Sequence, residues 1–149
     1  MLFRSVVLGG LTFLLVSVAK GFVPGSIEAV DGIDDNLSVG ILFLGVIPAV
    51  IAAFAEELTF RYLLFGKFKP IALKVLMFIV SSLLFGLVHY NNVDGNLVQL
   101  IPYVAMGAYF AAVYAVSKNI WFAIGTHFIY NTSISLLPVL LLAIMSLFS

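Results

Sequence analysis

Two adjacent carboxylates and an arginine stand in an otherwise apolar part of the chain, in the run AFAEELTFRYLLFGKFKP over residues 53–70. On a helix, residues four apart share a face, so Glu57 can pair with Arg61. Glu56 points elsewhere and is free to face a neighbouring helix. The pattern predicts a buried ion pair beside a carboxyl group that can act as a general base.

The two histidines of the chain each have a polar or aromatic partner four residues away. Phe85 and His89 share one helical face, and His127 and Asn131 share another. Imidazole can move a proton, and an amide can donate hydrogen bonds. Taken alone, His89 could equally be an interfacial residue at a helix end, and His127 with Asn131 could be a hydrogen-bonding contact between helices. Because buried polar groups need partners, we expect Glu56 to meet both histidines and Asn131 in one pocket.

The composition is that of a membrane protein. Of the 149 residues, 63% are hydrophobic and 9% are charged, whereas soluble domains carry roughly 25% charged residues. Seven basic and seven acidic residues cancel, so the charge predicts no nucleic-acid binding. The lack of cysteine excludes disulfides and thiol catalysis. A charge at mid-bilayer costs at least about 2.5–3.5 kcal/mol, so three together indicate a function.

The apolar runs predict an all-α fold, a polytopic transmembrane bundle of about five spans in a single domain over residues 1–149. A spanning helix needs about 20 apolar residues. The predicted spans are residues 3–23, 39–65, 71–90, 97–117 and 120–137. We expect the first span to stay uncleaved, although SVAK resembles a signal-peptidase site. The short apolar tail after Pro138 either extends the fifth helix or lies on the membrane surface.

The charged connections predict the orientation in the membrane, because basic residues concentrate in cytoplasmic loops. The first connection, PGSIEAVDGIDDNLS, is acidic, and the connections after the second and fourth spans are basic. Five spans then place the amino terminus in the cytoplasm. The basic residues on that side are Arg4, Lys67, Lys69, Lys74 and Lys118.

The polar pairs match, in chain order, three motifs of one family. EELTFR at 56–61 fits E-E-x-x-x-R, FGLVH at 85–89 fits F-x-x-x-H, and HFIYN at 127–131 fits H-x-x-x-N. The region from about 48 to 137 therefore resembles the CPBP family of CAAX proteases and bacteriocin-processing proteins. This family is also called the abortive-infection family, and it includes the Rce1-type prenyl-protein endopeptidases.

The resemblance implies a role for each motif residue. Glu56 and His89 would activate a water molecule, and His127 and Asn131 would stabilise the oxyanion formed on the scissile carbonyl. The remaining motif positions would support these four: Phe85 beside His89, and Glu57 and Arg61, which would orient Glu56.

A zinc site is the competing design. Glu56, His89 and His127 could hold zinc with an open position for water. Asn131 favours the site without a metal, because an amide is a poor zinc ligand and a good oxyanion donor.

The sequence thus predicts a metal-independent, CAAX-type intramembrane endopeptidase of the glutamic type. It would cut a peptide or membrane-anchored protein, and whether that substrate is prenylated stays open. Rce1-type enzymes have additional spans before the first motif, and this chain has one. An oligomeric or membrane partner is therefore a further expectation, and the small size favours a bacterial plasma membrane.

Two other functions stay open. The first is a non-catalytic protein of the same fold, a bacteriocin self-immunity factor or a regulator of another membrane protein. The second is a proton-coupled transporter, which would also use buried Glu and His residues. Five spans without inverted repeats are few for alternating access.

Overall fold

The computed structural model describes residues 2–21, 39–145 and 147–148, and this part of the chain is helical and contains no strand. The all-α class is confirmed, with five α-helices among the described residues. The acidic first connection lies outside the described residues. The helices are α1 (Leu2–Gly21), α2 (Val39–Glu57), α3 (Ile71–Leu87), α4 (Ile101–Ser117) and α5 (Ile120–Met145).

The second helix changes its winding directly after the paired glutamates. It continues as a π-helix over Leu58–Phe65, and the N–H of Gly66 donates to the carbonyl oxygen of Arg61 five residues earlier, at 2.7 Å. π-helical turns are rare in proteins, and those that do occur are often found at functional sites. Two short 3₁₀ turns, Tyr90–Val93 and Val98–Leu100, join α3 to α4.

Among the residues that the structure describes, two helical stretches are long and apolar enough to cross a membrane, Val98–Ser117 and Ile120–Met145. The second runs through Pro138 without ending. The apolar tail therefore extends the fifth helix as far as Met145, which is one of the two arrangements that the sequence allows.

The core is built from residues of α1, the π-helix, α3, α4 and α5, and within it α3 packs closely on α4. Gly107 of α4 makes this approach possible, because an added Cβ would lie 3.0 Å from the Cβ of Phe85 and 3.0 Å from the carbonyl oxygen of Ser82. The buried core residues are Val16, Phe60, Phe85, Met106, Phe110 and Tyr130.

Several hydroxyl side chains bond within their own helix. The Ser82 hydroxyl donates to the Phe78 carbonyl at 2.7 Å, and the Thr126 hydroxyl donates to the Phe122 carbonyl at 2.7 Å. Each bond reaches one turn back along the same helix, so these side chains need no partner in an apolar medium. Polar groups that reach across helices are therefore the informative ones.

Candidate active site

The end of α2 anchors the polar site. Oε1 of Glu57 lies 3.1 Å from Nη1 of Arg61, and both side chains are fully buried. This is the ion pair that their spacing predicts. Nη2 of Arg61 also donates to the Gly107 carbonyl of α4 at 2.9 Å. A buried charge is tolerated when it is paired and hydrogen-bonded, so the pair fixes α2 against α4.

His127 of α5 lies between the two carboxylates. Its Nδ1 is 2.9 Å from Oε1 of Glu57, so the Nδ1–H donates to a carboxylate that is also held by Arg61. Its Nε2 is 3.7 Å from Oε2 of Glu56. The imidazole is 1% exposed. The Glu57–Arg61 pair thus contacts His127 directly and reaches Glu56 through it.

Two phenylalanines enclose the arginine and the histidine. The guanidinium carbon of Arg61 lies 4.3 Å from the centroid of Phe85 and 5.5 Å from that of Phe110. His127 stacks on Phe110 with centroids 4.4 Å apart, and meets Phe85 edge-on at 5.7 Å. A cation over an aromatic face is stabilised by the ring quadrupole, so these rings replace water around the buried charges.

A cavity of about 370 Å³ lies against this cluster. The Glu56 side chain forms part of its wall and is 21% exposed. The other walls include apolar residues of α1, α2, α4 and α5. The polar residues that line it are Glu56, His89, Asn92, Tyr103, Tyr130 and Asn131.

His89 reaches the cavity from the turn after α3, since that helix ends at Leu87 and not at residue 90. Its Nδ1 lies 2.9 Å from the Phe85 carbonyl oxygen. A carbonyl can only accept, so Nδ1 carries the hydrogen and Nε2 keeps a lone pair for a proton. The ring stacks on Tyr103 with centroids 4.5 Å apart and an interplanar angle of 23°. These contacts orient a basic nitrogen.

Asn131 lies one helical turn after His127 and lines the cavity. Its Nδ2 donates to the Ala49 carbonyl of α2 at 2.7 Å. An amide nitrogen carries two hydrogens, so one hydrogen fixes the side chain and the second remains for a group in the cavity.

The structure brings together three of the four motif residues at the cavity wall, and these are Glu56, His89 and Asn131. The fourth, His127, lies behind the Glu56 carboxylate and contacts it. Sequence reasoning missed Tyr103 and Phe110, because an aromatic residue in an apolar helix carries no signal that separates a histidine partner from ordinary packing.

The described residues contain no group of three His, Asp or Glu side chains close enough to hold a metal ion. Glu56 and His127 approach each other, but the Nδ1 of His127 is bonded to Glu57. A zinc ion could still bind His127 through Nε2, because a metal-ligating histidine usually donates its other N–H to a carboxylate, as Nδ1–H does here to Glu57.

Comparison with known proteins places these motifs in one family. The family described as "Type II CAAX prenyl endopeptidase Rce1-like" matches residues 38–133. The chain is 33% identical over 87 residues to the "Putative membrane peptidase YdiL" of Bacillus subtilis (strain 168), which covers 58% of this chain and 34% of that protein. It is 35% identical over 92 residues to an uncharacterized protein of Mycoplasma capricolum subsp. capricolum, which covers 61% of this chain and 26% of that protein.

The chain thus spans about a third or less of the curated relatives it matches. No solved structure matches it. The family and the two long apolar helices indicate a membrane location. Because the family match covers more than half of the chain and contains all three motifs, this protein belongs to the Rce1-like family of type II CAAX prenyl endopeptidases.

Proposed function

We propose that the protein is a glutamic-type intramembrane endopeptidase, in which a water molecule between Glu56 and His89 attacks a peptide bond. One observation carries the proposal. The Glu56 side chain lines the cavity and is 21% exposed there, while its Oε2 is buried and faces Nε2 of His127 at 3.7 Å. The part of the carboxylate that meets the cavity can accept a hydrogen bond from a water molecule, which a polar cavity of this size can hold.

The proposed reaction is a direct hydrolysis. The water oxygen bonds to the carbonyl carbon of the scissile peptide, and a water proton moves to the Glu56 carboxylate or to Nε2 of His89. The carbonyl π electrons move to the oxygen and form an oxyanion, towards which Asn131 donates its second amide hydrogen. The tetrahedral intermediate then breaks its C–N bond, the amine nitrogen takes up the proton, and a new carboxylate remains.

His127 is the second proposed oxyanion donor. Its Nδ1–H is held by Glu57 at 2.9 Å, so Nε2 is the nitrogen left for this role. Nε2 lies 3.7 Å from Oε2 of Glu56, so the ring would have to shift towards the cavity when a substrate binds.

The substrate in this proposal is a peptide or membrane-anchored protein that enters the cavity from the bilayer. The apolar part of the cavity wall supports a substrate with apolar side chains or a lipid group, and it includes Val16, Met106 and Ile134. CAAX-type cleavage and prenylation are proposed from the family. An oligomeric or membrane partner would supply further substrate contacts.

The experiment measures cleavage by the protein reconstituted in liposomes. The substrates are a farnesylated CAAX peptide and an apolar peptide of about 20 residues, the length of a membrane span. We expect Glu56→Gln and His127→Ala to lose activity while the helical circular dichroism is kept. Asp94→Asn, a change at an exposed acidic residue in the loop after α3, should cleave like the wild type.

The same assay tests the proposal that no metal is needed. Activity should survive a strong zinc chelator followed by buffer exchange. Loss of activity on chelation that added zinc restores would favour the zinc alternative. Cleavage that is unchanged in Glu56→Gln would exclude the glutamic mechanism.

A further inference from the structure

A second polar cleft lies at the other ends of α3 and α4. The catalytic cavity uses the beginning of α4 and the turn after α3, whereas this cleft uses the beginning of α3 and the end of α4. Its volume is about 220 Å³. The residues that line it are Phe65, Gly66, Lys74, Tyr114, Ala115 and Lys118. No motif of the proposed hydrolase lies here.

Three of the residues that line the cleft carry hydrogen-bond donors, and these are Lys74, Lys118 and Tyr114. The Tyr114 ring packs edge-on against Phe65 with centroids 5.9 Å apart. An added Cβ on Gly66 would lie 2.5 Å from the Tyr114 hydroxyl oxygen and 2.9 Å from the Arg61 carbonyl oxygen, so the missing side chain of Gly66 leaves room for the phenol against the turn. The tyrosine thus lines the cleft together with the two lysines.

The two lysines have no anionic partner in the part of the chain that the structure describes. Its ion pairs are confined to the cluster of Glu56, Glu57, Arg61 and His127. The Tyr114 hydroxyl likewise has no hydrogen-bond acceptor among the described residues. Two cations and a free donor around one cleft are complementary to an anion.

Local helix chemistry does not explain this pair. Lys118 follows the end of α4 and would suit the negative end of the helix dipole, but it adopts a left-handed backbone with φ of 52°, where glycine or asparagine is usual. Lys74 closes the first turn of α3, where the dipole disfavours a cation. Lys74 thus carries a positive charge where the helix dipole disfavours one, and Lys118 has a backbone that favours glycine. Both charges also fit the cytoplasmic side that the loop composition predicts.

We propose that this cleft binds the phosphate group of an anionic ligand, and that the ligand is a membrane lipid with a phosphate-bearing headgroup. Lysine ammonium groups and a phenol hydroxyl are suitable donors to phosphate oxygens. The apolar floor of Phe65 and Ala115 would accept the first carbons next to the headgroup. Basic pockets between transmembrane helices are suited to such headgroups. This binding is independent of the hydrolytic reaction.

The test titrates the purified full-length protein in neutral detergent with short-chain phosphatidylglycerol, phosphatidylcholine or inorganic phosphate. Native mass spectrometry counts the bound molecules and gives their affinity. We expect saturable binding of phosphatidylglycerol and weaker binding of phosphatidylcholine. In Lys74→Gln/Lys118→Gln, the affinity for phosphatidylglycerol should fall about tenfold or more, since each lysine near a headgroup adds to binding.

The matched control is Lys67→Gln/Lys69→Gln, which removes the same charge from the neighbouring turn. Lys67 lies over the Tyr62 ring at 5.2 Å, and neither residue lines the cleft. An equal loss of affinity in both double variants would overturn the proposal, because it would show attraction by general charge. Absence of saturable binding by any probe would also overturn it.

The titration with inorganic phosphate distinguishes a lipid headgroup from a soluble phosphate. Saturable binding of inorganic phosphate that is lost only in the Lys74/Lys118 variant would support the phosphate site but replace the lipid with a soluble anion. Lys118→Gly is the control for misfolding, because glycine adopts the left-handed backbone conformation of residue 118 without strain. It should keep or raise the thermal stability while it weakens phosphatidylglycerol binding.

Discussion

Nδ1 of His127 lies 2.9 Å from Oε1 of Glu57, although the two residues are 70 positions apart in the chain. The contact joins α5 to the end of α2 in a fully buried setting. It determines where two cavity residues sit, because Glu56 precedes Glu57 and Asn131 follows His127 by one turn. The second glutamate of the motif is thus a structural link between the helices that carry the proposed base and oxyanion donor.

The Glu57–Arg61 ion pair should contribute strongly to the free energy of unfolding. Arg61→Leu leaves the Glu57 carboxylate buried without its cation and the Gly107 carbonyl without its donor. We expect the free energy of unfolding to fall by about 3–5 kcal/mol, measured by denaturant titration in mixed micelles. Lys67→Leu is the control for loss of one positive charge and should change stability by less than about 0.5 kcal/mol. An Arg61→Leu protein as stable as this control would contradict the assignment.

The close packing of α3 on α4 can be tested with a pair of glycines. Gly107→Ala places a methyl group 3.0 Å from the Cβ of Phe85, and such overpacking costs about 1–3 kcal/mol. Gly45→Ala in α2 meets nothing within 4 Å and should stabilise the helix by about 0.5–1 kcal/mol. Thermal unfolding should therefore move in opposite directions in the two variants. A shift of the same sign in both would show that helix propensity outweighs this contact.

Tyr103 is expected to be a positioning residue for His89. Tyr103→Phe keeps the stacked ring, whereas Tyr103→Leu removes it. Since an aromatic pair is worth about 0.5–1.5 kcal/mol, we expect kcat to fall about three- to tenfold in the leucine variant and to stay near wild type in the phenylalanine variant. The pH profile of kcat should also shift in the leucine variant, because the orientation of the basic imidazole changes. An effect on KM alone would instead assign Tyr103 to substrate binding.

The proposed orientation predicts which loops face the cytoplasm. The chain has no cysteine, so a single introduced cysteine is the one thiol of this protein that a maleimide can label. In intact cells, a membrane-impermeant maleimide should label Asp94→Cys, and it should label Lys67→Cys only after permeabilisation. Labelling in the reverse order would place the amino terminus outside.

The sequence predicts the helical class and the polar pairs because both depend on spacing along one helix. Glu57 and Arg61 pair as the four-residue spacing requires, and Phe85 and His89 lie with ring centroids 5.1 Å apart. The all-α fold follows equally from the apolar runs. These features need no knowledge of how helices meet.

Features that depend on packing between helices could not be predicted in the same way. The contact of His127 with Glu57 depends on the crossing of α5 and α2, which a linear pattern does not contain. The π-helix over Leu58–Phe65 has a sequence, LTFRYLLF, that suits an ordinary α-helix equally well. His89 lies beyond the end of α3, and its partner Tyr103 comes from α4, which packs on α3 through a close approach at Gly107.

Hydrolysis in water enriched in ¹⁸O tests most directly whether Glu56 drives a water molecule onto the peptide carbonyl. The wild-type protein in liposomes should release a fragment whose new carboxyl group carries one labelled oxygen, detected by mass spectrometry. Glu56→Gln should release none under the same conditions while Asp94→Asn matches the wild type. Labelled product from the Glu56→Gln protein at the wild-type rate would contradict the account.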